Sequence, residues 1–307
     1  MAETIDIESR YAERSPRSIS AGRVIVWIIL LFVIVLTLFP VWWVIRTALS
    51  SSNLLFNDPK SLLPIGPTMQ NFARVLGLMS VNQAIAAGGS GTTFNFLVAL
   101  RNSFIVTGCI LVGQLFFSAL AAYAFARLRF RGRETVFFIF VTGLMVPGVV
   151  TLIPNFVLIH GLGWLNTFPG LIAPYFLMTP FAVFFLRQFM LGLPFELEEA
   201  AILDGASRFA IFIKVIIPLS QTALLTLAIV TFFQSWNNFL WPFLIGRSES
   251  VRVLTAALAI FQTQTPQGAP DWTGLMAGTA LSMVPSILFL VFAGRRVVES
   301  LQFSGLK

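Results

Sequence analysis

The chain has 307 residues, 57% of them hydrophobic and only 11% charged, with a formal net charge of +7. A soluble globular chain carries about 25% charged residues, so this one cannot cover a water-facing surface of ordinary size and belongs in a lipid bilayer. Disorder and a disulfide scaffold fail on the same numbers. The lone Cys109 and the lone His160 leave no disulfide, no Cys/His zinc site and at most one histidine base.

The excess of positive charge does not read as a nucleic-acid surface. Basic residues sit in short clusters beside apolar runs, as in Arg127, Arg129, Arg131 and Arg133, which is how topology determinants look. A nucleic-acid partner would need a contiguous basic face on its own soluble fold.

A spanning helix needs roughly 20 apolar residues to cross about 30 Å of hydrocarbon. Six stretches qualify: residues 24–45, 103–126, 135–159, 168–189, 219–245 and 275–294, none containing Asp or Glu. No ten-residue segment alternates at period two as a barrel strand would, so backbone satisfaction in lipid requires helices. The chain therefore reads as an all-α integral membrane protein with six transmembrane helices. Residues 1–23 form an N-terminal segment, 24–45 the first span, 46–102 an outer loop, 103–294 a core of five spans, and 295–307 a tail. The putative inner segments hold 14 of the 20 Lys and Arg residues, counting Arg187. Both termini are accordingly expected in the cytoplasm. The long lead of mixed charge before residue 24 favours an uncleaved first span over a signal peptide.

Along the spans, Pro147 and Pro154 interrupt the third, Pro174 and Pro180 the fourth, and Pro285 the sixth. These are either tolerated kinks or bends that line a pathway. Ser118, Ala122 and Ala126 recur at steps of four in the second span and predict a close helix–helix seam, within the chain or with a partner. An amphipathic helix is expected near Asn71–Gly77 in the loop 46–102.

Residues 190–218 do not belong in a membrane. Pro194 suits a first helical turn, and Glu196, Glu198 and Glu199 favour the positive end of a helix dipole. Asp204-Gly205 ends the short helix through a left-handed glycine. A second helix is expected from about Ser207 to Pro218, with Phe209, Phe212, Ile213 and Ile216 as one apolar stripe. Such a pair of helices either lies on the membrane surface or enters a groove on a partner. Three glutamates beside only Arg208 and Lys214 suit an anionic lipid surface poorly.

Glu199-Ala200-Ala201, three residues, Gly205, nine residues, then Val215-Ile216-Ile217-Pro218 resembles the EAA motif of ABC importer permeases. The wider E-A-A-x2-D-G-A form runs from Glu199 through Ala206 without exception. The resemblance extends over roughly residues 25–300. Arg101-Asn102-Ser103 is similar to the family's opening of span two. Ala121 to Arg127 is similar to its A-A-Y-A-x-A-R ending. Trp236-Asn237-Asn238-Phe239-Leu240-Trp241-Pro242 resembles the W-N-x-F-x-W-P stretch of carbohydrate-type permeases, and Ala277 to Pro285 the start of the last span. The nearest pattern is the second permease subunit of binding-protein-dependent sugar importers of the maltose type. The family often ends in a Gly-rich tail with a terminal Lys-Gly, whereas this chain ends Phe303-Ser304-Gly305-Leu306-Lys307.

The resemblance implies that the 190–218 loop between spans four and five is a coupling-helix pair docking into an ATPase, with Glu199, Ala200, Ala201, Asp204, Gly205, Ala206, Phe209 and Phe212 as its coupling residues. It implies as partners a second permease subunit, an ATPase dimer that binds ATP and Mg, and an extracytoplasmic sugar-binding protein, with membrane lipid around the spans. The chain itself binds no cofactor or metal on this reading. None of its lysines (Lys60, Lys214, Lys307) follows a glycine, so no Walker A loop exists.

Two further sets stand as candidates. In the outer loop 246–274, Gln264, Gln267, Asp271 and Trp272, near Gln262, Pro266 and Pro270, either meet the binding protein or belong to a solvated connector. In span five, Gln234, Trp236, Asn237, Asn238 and Trp241 offer the amides and aromatic faces that a sugar needs. The competing role for them is interhelical hydrogen bonding and interfacial packing. A secondary transporter would place carboxylates or histidines inside the spans, and a membrane enzyme would need a buried acid–base pair; neither is present in the sequence. An importer of glycerol phosphate or another polyol derivative is the nearest alternative, although phosphate calls for an Arg or Lys in the pathway.

Overall fold

The structure is a computed structural model that describes residues 21–90, 94–262 and 270–304. Every regular element among the described residues is helical. Three helices are long and apolar enough to cross a membrane unbroken: α1 (Ala21–Ala48), α4 (Phe96–Arg127) and α15 (Trp272–Ser304). Three further crossings are possible only as bent pairs. These are α5 (Arg133–Thr142, prolonged by a 3-10 turn to Met145) with α6 (Gly148–Gly161), bent 99°, α7 (Phe168–Phe176) with α8 (Pro180–Leu191), bent 42°, and the segment Arg208–Leu219 with α12 (Gln221–Trp236), bent 78°.

Prolines place the first two of these breaks. Pro147 stands ahead of α6 in extended conformation (φ −61°, ψ 132°), and Pro180 starts α8 behind the Thr179 cap. A proline cannot donate to the preceding turn and favours the first helical position. Pro154, Pro174 and Pro285 lie inside their helices. The expected spans at 135–159 and 168–189, read as interrupted by prolines, are each two helices, with the breaks at Pro147 and ahead of Pro180.

Three other boundaries depart from the sequence reading. The second span begins at Phe96, not 103, because the Asn95 side chain accepts the Val98 N–H (3.1 Å) and caps it. The expected span 219–245 stops at Trp236. Pro242 has no N–H for the Asn238 carbonyl, which instead accepts the Thr255 hydroxyl (2.8 Å), and the chain resumes as the short α13 (Leu240–Ile245), followed by α14 (Leu254–Leu258). The last helix continues ten residues past 294 to Ser304, where a tail was expected. The helix expected near Asn71–Gly77 is present as α2 (Gln70–Val75). It is followed by an unanticipated α3 (Val81–Ala86), held by a reciprocal Ser80–Gln83 capping box.

Helix α4 is the axis of the fold. At 32 residues it is about 48 Å long, and it packs against α7, α8 and α12. The Ser118, Ala122 and Ala126 seam is buried inside the chain, with Ala182, Leu186 and Met190 of α8 in the same core cluster as Ala122 and Ala126. Small residues let these backbones approach. Around the Phe96 end of α4 lie two clusters, one joining Ala48, Val75, Phe96, Trp236 and Ala277, the other Val106, Ile110, Leu171, Trp241 and Ile245. Helix α1 keeps its apolar side chains from Val24 to Leu36 exposed, packing on α15 near its end.

Candidate coupling site

The segment after α8 folds into a helix, a glycine turn and a second rod. Helix α9 (Glu196–Leu203) carries its three glutamates in the first turn, next to unsatisfied N–H groups. Pro194 stands outside it, two residues before the first helical position, rather than in its first turn. Asp204 closes the helix and Gly205 follows at φ +80°, a conformation open to glycine and costly for other residues. Ser207 accepts the Ala210 N–H (3.2 Å) and starts α10 (Arg208–Ile211). A π-helical turn, Phe212–Ile216, then leads into α11 (Ile217–Leu219). The rod meets α12 at Ser220, which is fully buried.

The eight residues expected to couple divide by direction. Glu199, Ala200, Asp204, Gly205 and Phe209 are exposed. Ala201 and Ala206 are half-buried against the cluster at the Arg127 end of α4, and Phe212 is 1% exposed within it. Phe212 is thus part of this chain's own core, not a contact for another. The expected stripe fails for the same reason: Ile211, Phe212 and Ile216 are buried, while Phe209 and Ile213 face outward. The wide π turn breaks the 3.6-residue period on which that stripe depended. Leu203, 88% exposed at the tip of α9, is an outward residue that the sequence reading passed over, although its place beside Asp204-Gly205 marks it as the helix tip.

Behind this surface the last turn of α4 makes three attachments. The Tyr123 hydroxyl donates to the Arg208 carbonyl (3.4 Å), and its ring lies 5.4 Å from that of Phe212. The Phe125 carbonyl accepts Arg187 Nε (3.2 Å), and the same guanidinium grips both oxygens of Glu134 (2.9 and 2.8 Å) over the Phe137 ring. Arg127 donates to the carbonyls of Met190 (2.5 Å) and Leu193 (2.6 Å), and its Nε lies 3.1 Å from Glu198 Oε1. Glu198 is fully buried, and neither carboxylate oxygen has an aligned donor. Burial pushes its carboxyl above the usual range, while Arg127 and then Arg208 pull it back.

The other candidate sets behave differently. Trp236 is buried, stacked on Phe232 (5.5 Å), and donates its indole N–H to the Ser282 carbonyl. Trp241 is buried in a separate cluster and donates to the Gly170 carbonyl. The two tryptophans therefore pack helices together and do not share a face. Gln234 and Asn237 are exposed one turn apart, and Asn238 is half-buried. In the outer loop, Gln264 and Gln267 lie outside the described residues. Asp271 is not available to a partner: its carboxylate takes Arg74 (2.6 and 3.2 Å), the Ser90 N–H and the Gly274 N–H. It thereby ties α2 and residue 90 to the start of α15. Trp272 is exposed and lines a cavity with Trp43, Arg46, Phe56 and Pro59. Asn102 and Ser103 hold the same loop, through the Ser250 and Arg252 carbonyls and the Leu254 N–H. Among the described residues no group of three or more His, Cys, Asp or Glu side chains could hold a metal.

The chain is similar to known proteins in sequence and in fold. The chain is 32% identical over 275 residues to the sn-glycerol-3-phosphate transport system permease protein UgpE of Yersinia pestis, covering 89% of this chain and 94% of that one. It is 31% identical over 275 residues to the trehalose/maltose transport system permease protein MalG of Thermococcus litoralis, covering 89% and 92%. Its fold matches a chain of a bacterial ABC transporter that imports the acidic polysaccharide alginate, with a TM-score of 0.75 at 22% identity, covering 92% of this chain and 99% of that chain. Residues 114–302, which include the EAA segment and the Arg127 cluster, match the family described as the binding-protein-dependent transport system inner membrane component, and the chain belongs to that family.

Proposed function

We propose that this chain is the second permease subunit of an ATP-driven importer of a sugar or oligosaccharide, crossing the inner membrane six times with both termini in the cytoplasm. Each bent helix pair counts as one crossing. The α9–Gly205–α10 unit between the fourth and fifth crossings is the lever that an ATPase dimer moves. ATP and Mg are bound by those partner subunits, since this chain has no Walker A loop. A second permease completes the pathway, and an extracytoplasmic binding protein delivers the solute, with Trp272, Gln264 and Gln267 as the candidate contacts. Gln234, Asn237 and Asn238 are the candidate path residues.

The observation that carries this reading is the outward set Glu199, Ala200, Leu203, Asp204, Gly205 and Phe209, backed by a buried core. A lipid-surface helix pair would need a basic polar face, and here the exposed Glu196, Glu199 and Asp204 outnumber the exposed Arg208 and Lys214. The test is a pull-down from mild-detergent membranes through an N-terminal tag, read by mass spectrometry. An ATPase and a second six-span chain are expected in the eluate. A chain that purifies alone and moves solute in liposomes without ATP would overturn the proposal.

The relative named for sn-glycerol-3-phosphate supports a second reading, an importer of glycerol phosphate. The central parts of the spans offer no Arg or Lys for a phosphate, so on that reading the partner permease supplies the cation. ATP-dependent uptake of labelled maltose against labelled glycerol 3-phosphate separates the two.

A further inference from the structure

Arg127 and Glu198 are the place where α9 is fixed to the spans. Arg127 ends α4, its Nη2 holds the carbonyls of Met190 in the last turn of α8 and Leu193 just beyond it, and its Nε faces the Glu198 carboxylate. The side chains of Arg127 and Glu198 are 7% and 1% exposed, and the Phe195 ring covers the guanidinium at 5.7 Å. Breaking such a pair leaves an uncompensated buried charge, so the two partners stay together when their helices are displaced. Neither Glu198 oxygen has an aligned donor, so the pair is held by charge and tolerates small rotations that would break a directed hydrogen bond. Elsewhere the contact of α9 with the spans is apolar, through Ala201, and apolar packing is not directional.

The geometry points to Glu198 as a positioning residue: through Arg127 it hands displacement of α9 to α4 and α8 together, so the surface that meets the ATPase and the axis of the pathway move as one body. This rests on the reading of α9 as the ATPase-docking helix.

The experiment uses the complete transporter purified through this chain, in a Cys109→Ser background, with one environment-sensitive fluorophore at a time. One position is Leu197→Cys, exposed on α9; the other is Leu97→Cys, exposed at the far end of α4. The probe is a non-hydrolysable ATP analogue. With Glu198 present, both labels are expected to respond. With Glu198→Gln, the ATPase is retained at normal amount and Leu197 still responds, while the response at Leu97 falls about fivefold or more. An unchanged response at Leu97 in that variant overturns the proposal. So does an α4 label that never responds, or a variant that loses the ATPase, which is what a merely structural pair would do. A Leu197 label blind to the nucleotide in the parent protein, with the ATPase bound, instead defeats the docking reading itself.

Discussion

Gly205 and Glu198 show how two residues of one short loop differ in kind. At Gly205 a Cβ would meet nothing within 4 Å, but φ is +80°. A side chain there costs roughly 1–2 kcal/mol of backbone strain and projects into open space, where the proposed ATPase contact lies. Gly205→Val is therefore expected to reach the membrane at normal levels and to abolish ATP-driven uptake. Normal uptake at normal membrane levels would refute its coupling role. Glu198 is buried among Arg127, Arg208 and Tyr123. Its carboxyl is raised from an ordinary value of 4.5, so the folded chain binds this proton more tightly than the unfolded one. Its contribution to stability is then complete below that value and is lost as pH rises through the raised one. Thermal melting in detergent from about pH 4 upward should show that decline, and Glu198→Gln should remove it. Asp271 was legible as a polar loop residue but not as a buried one. Its partners Arg74 and Ser90 lie 197 and 181 positions away, a separation no local pattern encodes. Asp271→Asn breaks a buried pair and should cost about 3–5 kcal/mol, seen as a lowered melting temperature.

At the scale of elements, composition located the apolar stretches, and close packing set their ends and bends. The prolines were visible as interruptions, but the angles of 99°, 42° and 78° depend on what each half-helix packs against. The step-of-four seam of Ser118, Ala122 and Ala126 was readable because small side chains at helical spacing have a direct geometric consequence. Gly113 was not picked out, yet a Cβ there would lie 2.4 Å from the Phe176 ring and 2.6 Å from its carbonyl oxygen. Gly113→Ala forces α4 away from the kink between α7 and α8, and overpacking of this kind costs typically 1–3 kcal/mol. A lower melting temperature with unaltered helix content by circular dichroism is the expected result. The stripe on α10 was misplaced because a π turn cannot be told from an α turn by the spacing of apolar residues.

The whole molecule exposes a continuous apolar surface along α1 and much of α6 and α15, which water cannot cover and lipid or another subunit must. Reconstituted by itself, the chain is expected to give no ATP-dependent uptake of maltose or glycerol 3-phosphate. Together with the subunits it retains, uptake of one of them should require ATP. Uptake by the lone chain would contradict the assignment of energy to a partner. Composition by itself determined that the chain lives in a bilayer as helices, because a backbone in hydrocarbon must satisfy its own hydrogen bonds. The spacing from Glu199 to Pro218 determined the helix–glycine–helix unit, because a capped turn is a local matter of a few residues. Only the tertiary structure decided which of those residues face outward, that Trp236 and Trp241 pack in different clusters, and that Arg127 meets Glu198. Those outcomes depend on contacts between segments far apart in sequence, and burial is a property of the assembled neighbours rather than of the residue.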